Sequence, residues 1–376
     1  MALNRINGKE DLYVGGLFGL RRKQALKEGN ITHVLSVIKY SLDFDPDTFA
    51  NVQHLSIDID DDADQDILVQ LPKMVRFIES GLYGDVSRPG GVFVHCAMGV
   101  SRSVSAVIAY LLWKYPHRFG RSSPTTTPEQ AVTQALELVR ETRPIAEPNS
   151  GFMRQLGMWW EMGCPADSDD AVEKKPAYQR WVYERELDDA ARIGRVPDWI
   201  RFEDEEAEKQ RGLDNKKDGK ESGLELRCKK CRRVLATNPF VIEHRRKNNA
   251  ERPDCPHYFI EALSWMRPVL EEGALDGRLV CPNAKCSASI GRYAWQGFKC
   301  SCGDWVAPAF SLQKSKVDDV VVGPRRDQGM ATTADRMAAL GIRTPPGKSA
   351  ASLVPPTDAA ATSPPTAAIG GRKENL

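Results

Sequence analysis

An excess of charge of either sign is missing from this chain: 52 Lys and Arg stand against 51 Asp and Glu, a formal +1 over 376 residues. Also missing is any run approaching the roughly 18 uninterrupted apolar residues that a membrane-crossing helix needs, so a soluble protein with no membrane partner is expected. The start, MALNRINGKEDLYVGG, has no basic segment followed by an apolar stretch. Neither a secretory signal nor a transit sequence is therefore expected, and a cytoplasmic and nuclear location follows. In such a reducing compartment nine cysteines do not read as a disulfide framework. Seven of them fall between 228 and 302, a concentration that points to metal ligation. No internal repeat is evident, and the length implies two or three domains.

What is present is organised in blocks. From Leu12 to about Met162, strand-like segments (LYVGG, ITHVLSVI, VQHLSIDI, GVFVHC) alternate with helix-like ones, the pattern of an α/β domain. The stretches SRSVSAVIAYLLWKY, PEQAVTQALELVRET and NSGFMRQLGMWWEM carry apolar residues at three- and four-residue spacing, as helices packing on a sheet do. Between the first two, HRFGRSSPTTTP reads as an exposed loop. Residues 164–223 turn to dense mixed charge and read as a solvated, partly helical linker. A Cys/His-rich module spans 224–316. Beyond it, residues 317–376 are rich in Pro, Ala, Thr and Ser, too poor in apolar surface to offset their conformational entropy, and are expected to be disordered.

The sharpest signal is an apolar strand followed by His95-Cys96-Ala97-Met98-Gly99-Val100-Ser101-Arg102-Ser103 and then a helix. A thiol is a good nucleophile near neutral pH only when its thiolate is stabilised, which a loop opening into a helix N-terminus does with inward N–H groups and the helix dipole. The same loop, Ala97 to Ser101, can cradle a phosphate dianion. Gly99 permits a tight path, Arg102 can hold two phosphate oxygens with its planar fork, and Ser103 can donate to the sulfur. The chemistry is phosphoryl transfer through a cysteinyl-phosphate intermediate. A lone cysteine at a strand end is more often a small buried hydrophobe; the whole constellation reverses that weighting.

These residues resemble the cysteine-dependent protein phosphatases with the pattern His-Cys-x5-Arg-Ser, and more narrowly their dual-specificity branch. LYVGGL, ITHVLSV, IDIDDDADQDI and TRPIAEPNSGFMRQL agree with that branch, over about residues 10–163. Ester cleavage also needs a proton for the departing oxygen. Six aspartates lie between 58 and 66, so the sequence alone leaves the acid open. The resemblance selects Asp61, with Asp60 and Asp62 as fallbacks. It implies attack by Cys96 on a phosphorus held by the loop amides and Arg102, protonation of the leaving group by Asp61, and hydrolysis of the thiophosphate. Ser103 would ease departure of the sulfur, and no cofactor is needed for that chemistry.

Downstream lie Cys228-Lys-Lys-Cys231, His244, Cys255-Pro-His257, Cys281-Pro-Asn-Ala-Lys-Cys286 and Cys300-Ser-Cys302. Cysteines two to four residues apart supply two zinc ligands from one turn, and seven thiolates with one histidine complete two tetrahedral sets. Taken in chain order the sets are Cys228, Cys231, His244 and Cys255, then Cys281, Cys286, Cys300 and Cys302. His257 is the rival histidine, and an interleaved arrangement is also open. Two structural Zn2+ ions are thus expected. The module carries 15 Lys and Arg against 9 Asp and Glu between 224 and 314, clustered at Arg227–Arg233 and Arg245–Lys247. Such clusters are either solvated surface or a phosphate-backbone contact face, with Tyr293, Trp295 and Trp305 as stacking or core groups.

With YFIEALSWM, DGRLVCPNAKCSASIGRYAWQG and CSCGDWVAPAFSLQKSKVD added, the match resembles the dual-specificity protein phosphatase 12 family of zinc-tailed phosphatases, including its fungal members, through about residue 320. The resemblance implies a cysteine-phosphatase fold, a central sheet flanked by helices, with a small β-rich zinc domain. It also implies a phosphoprotein substrate and a role in late assembly of the large ribosomal subunit. There the zinc domain would dock on pre-ribosomal protein and rRNA.

Overall fold

A computed structural model of the chain describes residues 3–42, 45, 49–84, 90–214, 223–244 and 255–322. Its first sheet has the order β1-β2-β5-β3-β4, built from Leu3–Arg5, Leu12–Gly16, Ile31–Ser36, Gln53–Ser56 and Gly91–Cys96, numbered in chain order. β1 is antiparallel to β2, and the other pairings are parallel. The central strand β5, GVFVHC, is buried along its whole length, as a parallel strand covered on both faces must be. Side chains alternate across the sheet: Leu35 and Val94 enter the main core, while Val34 and Phe93 enter a smaller cluster with Leu20, Leu26 and Phe49.

The main core is completed by α2 (Leu71–Tyr83), α3 (Arg102–Lys114), α4 (Pro128–Arg140) and α5 (Ser150–Glu161). The last two start at side-chain caps. Thr127 and Gln130 form a capping box ahead of α4 with Pro128 in its first turn, and Asn149 accepts from the N–H of Phe152 at the head of α5. Trp159 is fully buried, its indole N–H satisfied by the carbonyl of Ala109 at 3.2 Å. The segment read as an exposed loop is anchored: Phe119 lies in the core, and the Arg121 guanidinium sits 3.7 Å from the Trp160 ring centroid.

The phosphatase-like body does not end at 163. Cys164, Ala166 and Val172 belong to its core. Residues 164–214 are partly helical, as read, holding α6 (Pro176–Ile193) and α7 (Glu203–Asp214), but are not wholly solvated: Tyr183, Ala190 and Phe202 are buried. Average composition hid these few inward apolar residues. The charges around them are paired, as in Arg201 with Glu203 at 2.7 Å and Arg195 with Glu186 at 2.8 Å.

The C-terminal module is β-rich. A five-stranded antiparallel sheet runs β10-β11-β14-β9-β8 (Asp276–Val280, Ser289–Ala294, Ala309–Gln313, His257–Ile260, Val241–Ile242), beside the hairpin of β12 (Phe298–Lys299) and β13 (Trp305–Val306). A three-stranded sheet has the order β15-β6-β7 (Val317–Val322, Gly223–Cys228, Val234–Thr237). β15 lies in what was expected to be tail, because Val317 is buried and the strand continues in alternation after it. The remainder of the tail, 323–376, lies outside the described residues. Among the described residues no helix is long and apolar enough to cross a membrane.

Candidate active site and candidate metal centres

β5 delivers Cys96 to the sheet's C-terminal edge, and the loop to α3 wraps over its sulfur. The thiol is 1% exposed. The Gly99 N–H donates to Sγ at 3.2 Å and the Ser103 hydroxyl at 3.4 Å, both from groups the sequence had singled out. The loop carbonyls are pinned away from this centre. That of Ala97 accepts from Leu17 N–H at 3.0 Å and that of Val100 from Glu147 N–H at 2.9 Å. Those of Met98 and Gly99 accept from the Arg143 guanidinium at 2.8 and 2.5 Å. In a trans peptide the C=O and the following N–H point oppositely, so fixing four carbonyls outward turns the N–H groups of Met98 to Ser101 toward the cup. Gly99 has φ 71°, and a Cβ there would lie 2.3 Å from the carbonyl carbon of Gly15. Only glycine fits.

Arg102 is 8% exposed. Its Nη1 donates to the Ile59 carbonyl at 2.9 Å, while Nε lies 3.8 Å from Asp61 Oδ2, beyond hydrogen-bond reach. That buried Nε has no hydrogen-bond partner, the state of a donor reserved for an oxyanion. Asp61 accepts from Asn149 Nδ2 at 3.0 Å, and the Asn149 N–H donates to Ser101 Oγ at 3.1 Å, tying the Asp61 loop to the cup. Of the fallback aspartates, Asp62 accepts from the Asp64 N–H at 2.8 Å, and Asp60, like Asp61, is exposed. His95 is wholly buried behind the thiol, with Nε2 2.7 Å from Ser36 Oγ; burial lowers its pKa to about 4.

Arg143, Asn149 and Gln155 were not singled out individually by the sequence reading. Gln155 Oε1 accepts from the N–H groups of Ile67 and Leu68 at 2.9 and 3.0 Å, and its amide donates to the Gln65 carbonyl at 2.8 Å. The available signal was the segment TRPIAEPNSGFMRQL, which contains all three.

In the C-terminal module the metal-type donors gather in two groups of four, with ligand atoms within 4.8 Å of one another. The chain-order pairing is corrected: Cys228, Cys231, Cys281 and Cys286 form one group, and His244, Cys255, Cys300 and Cys302 the other. Packing between sheets is the reason: the 228–231 turn joins β6 to β7 and the 281–286 turn joins β10 to β11, and the buried residues of the two sheets share one core. His244, with Nε2 2.9 Å from Cys302 Sγ, is the histidine of the set, and His257 packs instead beside Phe259 and Phe298. Zinc–sulfur bonds of about 2.3 Å would put the sulfurs of a tetrahedron about 3.8 Å apart. Cys228 to Cys286 is 3.9 Å and Cys231 to Cys281 is 3.5 Å. Within each group the thiols divide: burial pushes Cys281 and Cys255 up to about 12, while hydrogen bonds from their neighbours pull Cys231 and Cys300 down to about 7. The first group's spacing fits a thiophilic metal ion; in the second, which has the same kind of donors, the Cys300 sulfur lies 3.0 Å from that of Cys255 and 3.1 Å from that of Cys302.

The basic cluster beside the first group is partly neutralised within the module. Arg227 pairs with Glu225 at 2.6 Å, and both Lys229 and Arg232 reach Asp318. Arg245–Lys247 lie outside the described residues. Tyr293 and Trp295 are core, whereas Trp305 is 65% exposed.

The strand, cup and helix around Cys96 match the family model of the dual specificity phosphatase catalytic domain over residues 12–162. The chain is similar to tyrosine-protein phosphatase yvh1 of Schizosaccharomyces pombe, 38% identical over 71% of this chain and 71% of that protein. It is 33% identical to tyrosine-protein phosphatase YVH1 of Saccharomyces cerevisiae over 82% of this chain and 89% of that one. The crystal structure of the Yvh1 phosphatase domain from Chaetomium thermophilum is 65% identical over 44% of this chain and all of that one, with a TM-score of 0.43. The chain belongs to the Yvh1 and dual specificity protein phosphatase 12 family of protein phosphatases.

Proposed function

We propose that the chain hydrolyses phosphotyrosine and phosphoserine or phosphothreonine in proteins through a covalent Cys96 phosphate. The observation that carries this is the Cys96 sulfur under the Gly99 N–H and Ser103 hydroxyl, beside an Arg102 Nε with no hydrogen-bond partner. A phosphate monoester enters with its non-bridging oxygens on the loop N–H groups and Arg102. Cys96 attacks phosphorus in line with the departing oxygen, which takes the proton of Asp61. Water then attacks the thiophosphate with Asp61 as base, phosphate leaves, and the Ser103 hydroxyl stabilises the sulfur as its bond to phosphorus breaks. Cys96→Ser is expected to abolish turnover of p-nitrophenyl phosphate, and persistent hydrolysis by that variant would remove the assignment.

The two donor groups would each hold a structural Zn2+, one through four sulfurs and one through His244 and three sulfurs. The ions would join strands where the apolar core is thin. Following the family resemblance, the zinc module would act in late large-ribosomal-subunit assembly, docking on pre-ribosomal protein or rRNA from a cytoplasmic and nuclear pool. Sedimentation with pre-ribosomal particles tests this reading. Cys281→Ser with Cys286→Ser should abolish co-sedimentation, whereas Cys96→Ser should leave it intact.

A further inference from the structure

We propose that α6, beyond the matched catalytic domain, is a positioning strap for the acid loop and sets how well Asp61 delivers its proton; the proposal rests on Asp61 as the acid. Asp61 lies in an irregular stretch between β4 and α2 and keeps about a third of its side chain exposed, 35%. Such a loop must be held from outside if a carboxyl is to stay within reach of a departing oxygen. One side is held by Asn149 and by Gln155. The other is held by α6.

Two α6 side chains make the hold. The Tyr178 hydroxyl donates to Asp66 Oδ2 at 2.6 Å, and Asp66 Oδ1 accepts from the Val69 N–H at 3.2 Å, which fixes the exit of the loop into α2. The Arg185 guanidinium donates to the carbonyl of Asp64, three residues beyond Asp61. It also lies over Trp181, 4.7 Å from the ring centroid, which limits its freedom. The turn between Asp61 and that carbonyl is closed by Asp62 accepting from the Asp64 N–H.

The helix is anchored independently of the loop. Leu187 packs on the core of the C-terminal module, and Arg180 Nη2 lies 3.6 Å from Glu261. Between α6 and the body runs a cleft of about 640 Å³, with Gly157 and Met158 on one wall and Trp181 on the other. The Tyr178 ring also packs against the main core, and the polar links from its hydroxyl and from Arg185 tie the helix to the loop.

The test uses the full chain and two esters that differ in their need for a proton. The phenol of phenyl phosphate ionises near tyrosine, about 10, and needs the acid; p-nitrophenol is a far better leaving group and needs it much less. Asp61→Asn is the reference and should lose kcat/KM, which reports the step up to departure of the phenol, selectively on phenyl phosphate. Tyr178→Phe combined with Arg185→Ala should lower kcat/KM on phenyl phosphate by about fivefold to tenfold and on p-nitrophenyl phosphate several-fold less. Arg185→Lys, which keeps a donor, should restore part of the loss. An equal fall on both esters, or no fall, overturns the strap while Asp61→Asn stays selective. If Asp61→Asn is itself unselective, the acid assignment fails and the strap falls with it.

Discussion

His95 shows how one buried side chain ties the cup to pH. Its ring is wholly buried against Ser36 and stacks on Phe93, with centroids 5.4 Å apart, so the charged form is disfavoured and its pKa falls to about 4. The unfolded chain takes up that proton near the usual value of about 6.5 while the folded one does not. Its contribution is therefore complete above about pH 6.5 and is lost as pH falls toward about 4, up to about 3 kcal/mol. Urea denaturation of wild type and His95→Asn should show a shallower pH dependence in the variant between about pH 6.5 and 5. Gly99 is the other single residue on which the cup depends. Gly99→Ala meets both the positive φ and the Gly15 backbone, and should cost about 1–3 kcal/mol with most of the turnover of p-nitrophenyl phosphate.

The strand–loop–helix of β5 and α3 was legible at the level of elements because its chemistry is local: nucleophile, glycine, arginine and serine all lie within eight residues, Cys96 to Ser103. What holds that element open was not legible, since Arg143 acts on Met98 and Gly99 from more than 40 residues away. No periodicity encodes such a contact. Arg143→Met should leave the buried carbonyl of Gly99 and the part-buried one of Met98 short of a donor, costing about 1–3 kcal/mol in urea denaturation and raising KM for p-nitrophenyl phosphate as the loop relaxes. α6 was concealed for a different reason. Its few inward residues, Tyr183 and Ala190, are diluted among charges, and a charged helix reads as solvated unless its partners are known.

For the molecule as a whole, spacing identified which turns carry ligand pairs but not which pairs meet, because in the first group that is decided by the packing of two sheets whose turns lie 50 or more residues apart. The interleaved grouping makes a countable prediction. Elemental analysis should find two zinc ions per chain, and Cys228→Ser with Cys281→Ser should still retain one, where chain-order sets would lose both. Chelation should unfold the C-terminal module, seen as a red shift of the fluorescence of buried Trp295, while most turnover at Cys96 survives. Interleaving also bears on how the chain is made. Synthesis runs from the N-terminus, and the cup around Cys96, the body's core to Val172 and the α6 links all precede residue 194, so a hydrolase can emerge from the ribosome ahead of the metal groups. Neither metal group can close until translation has passed Cys286 or Cys302. A product terminated before residue 281 would carry half of each set, three bare thiols and His244, the thiols open to oxidation and to quality control, beneath an intact phosphatase body.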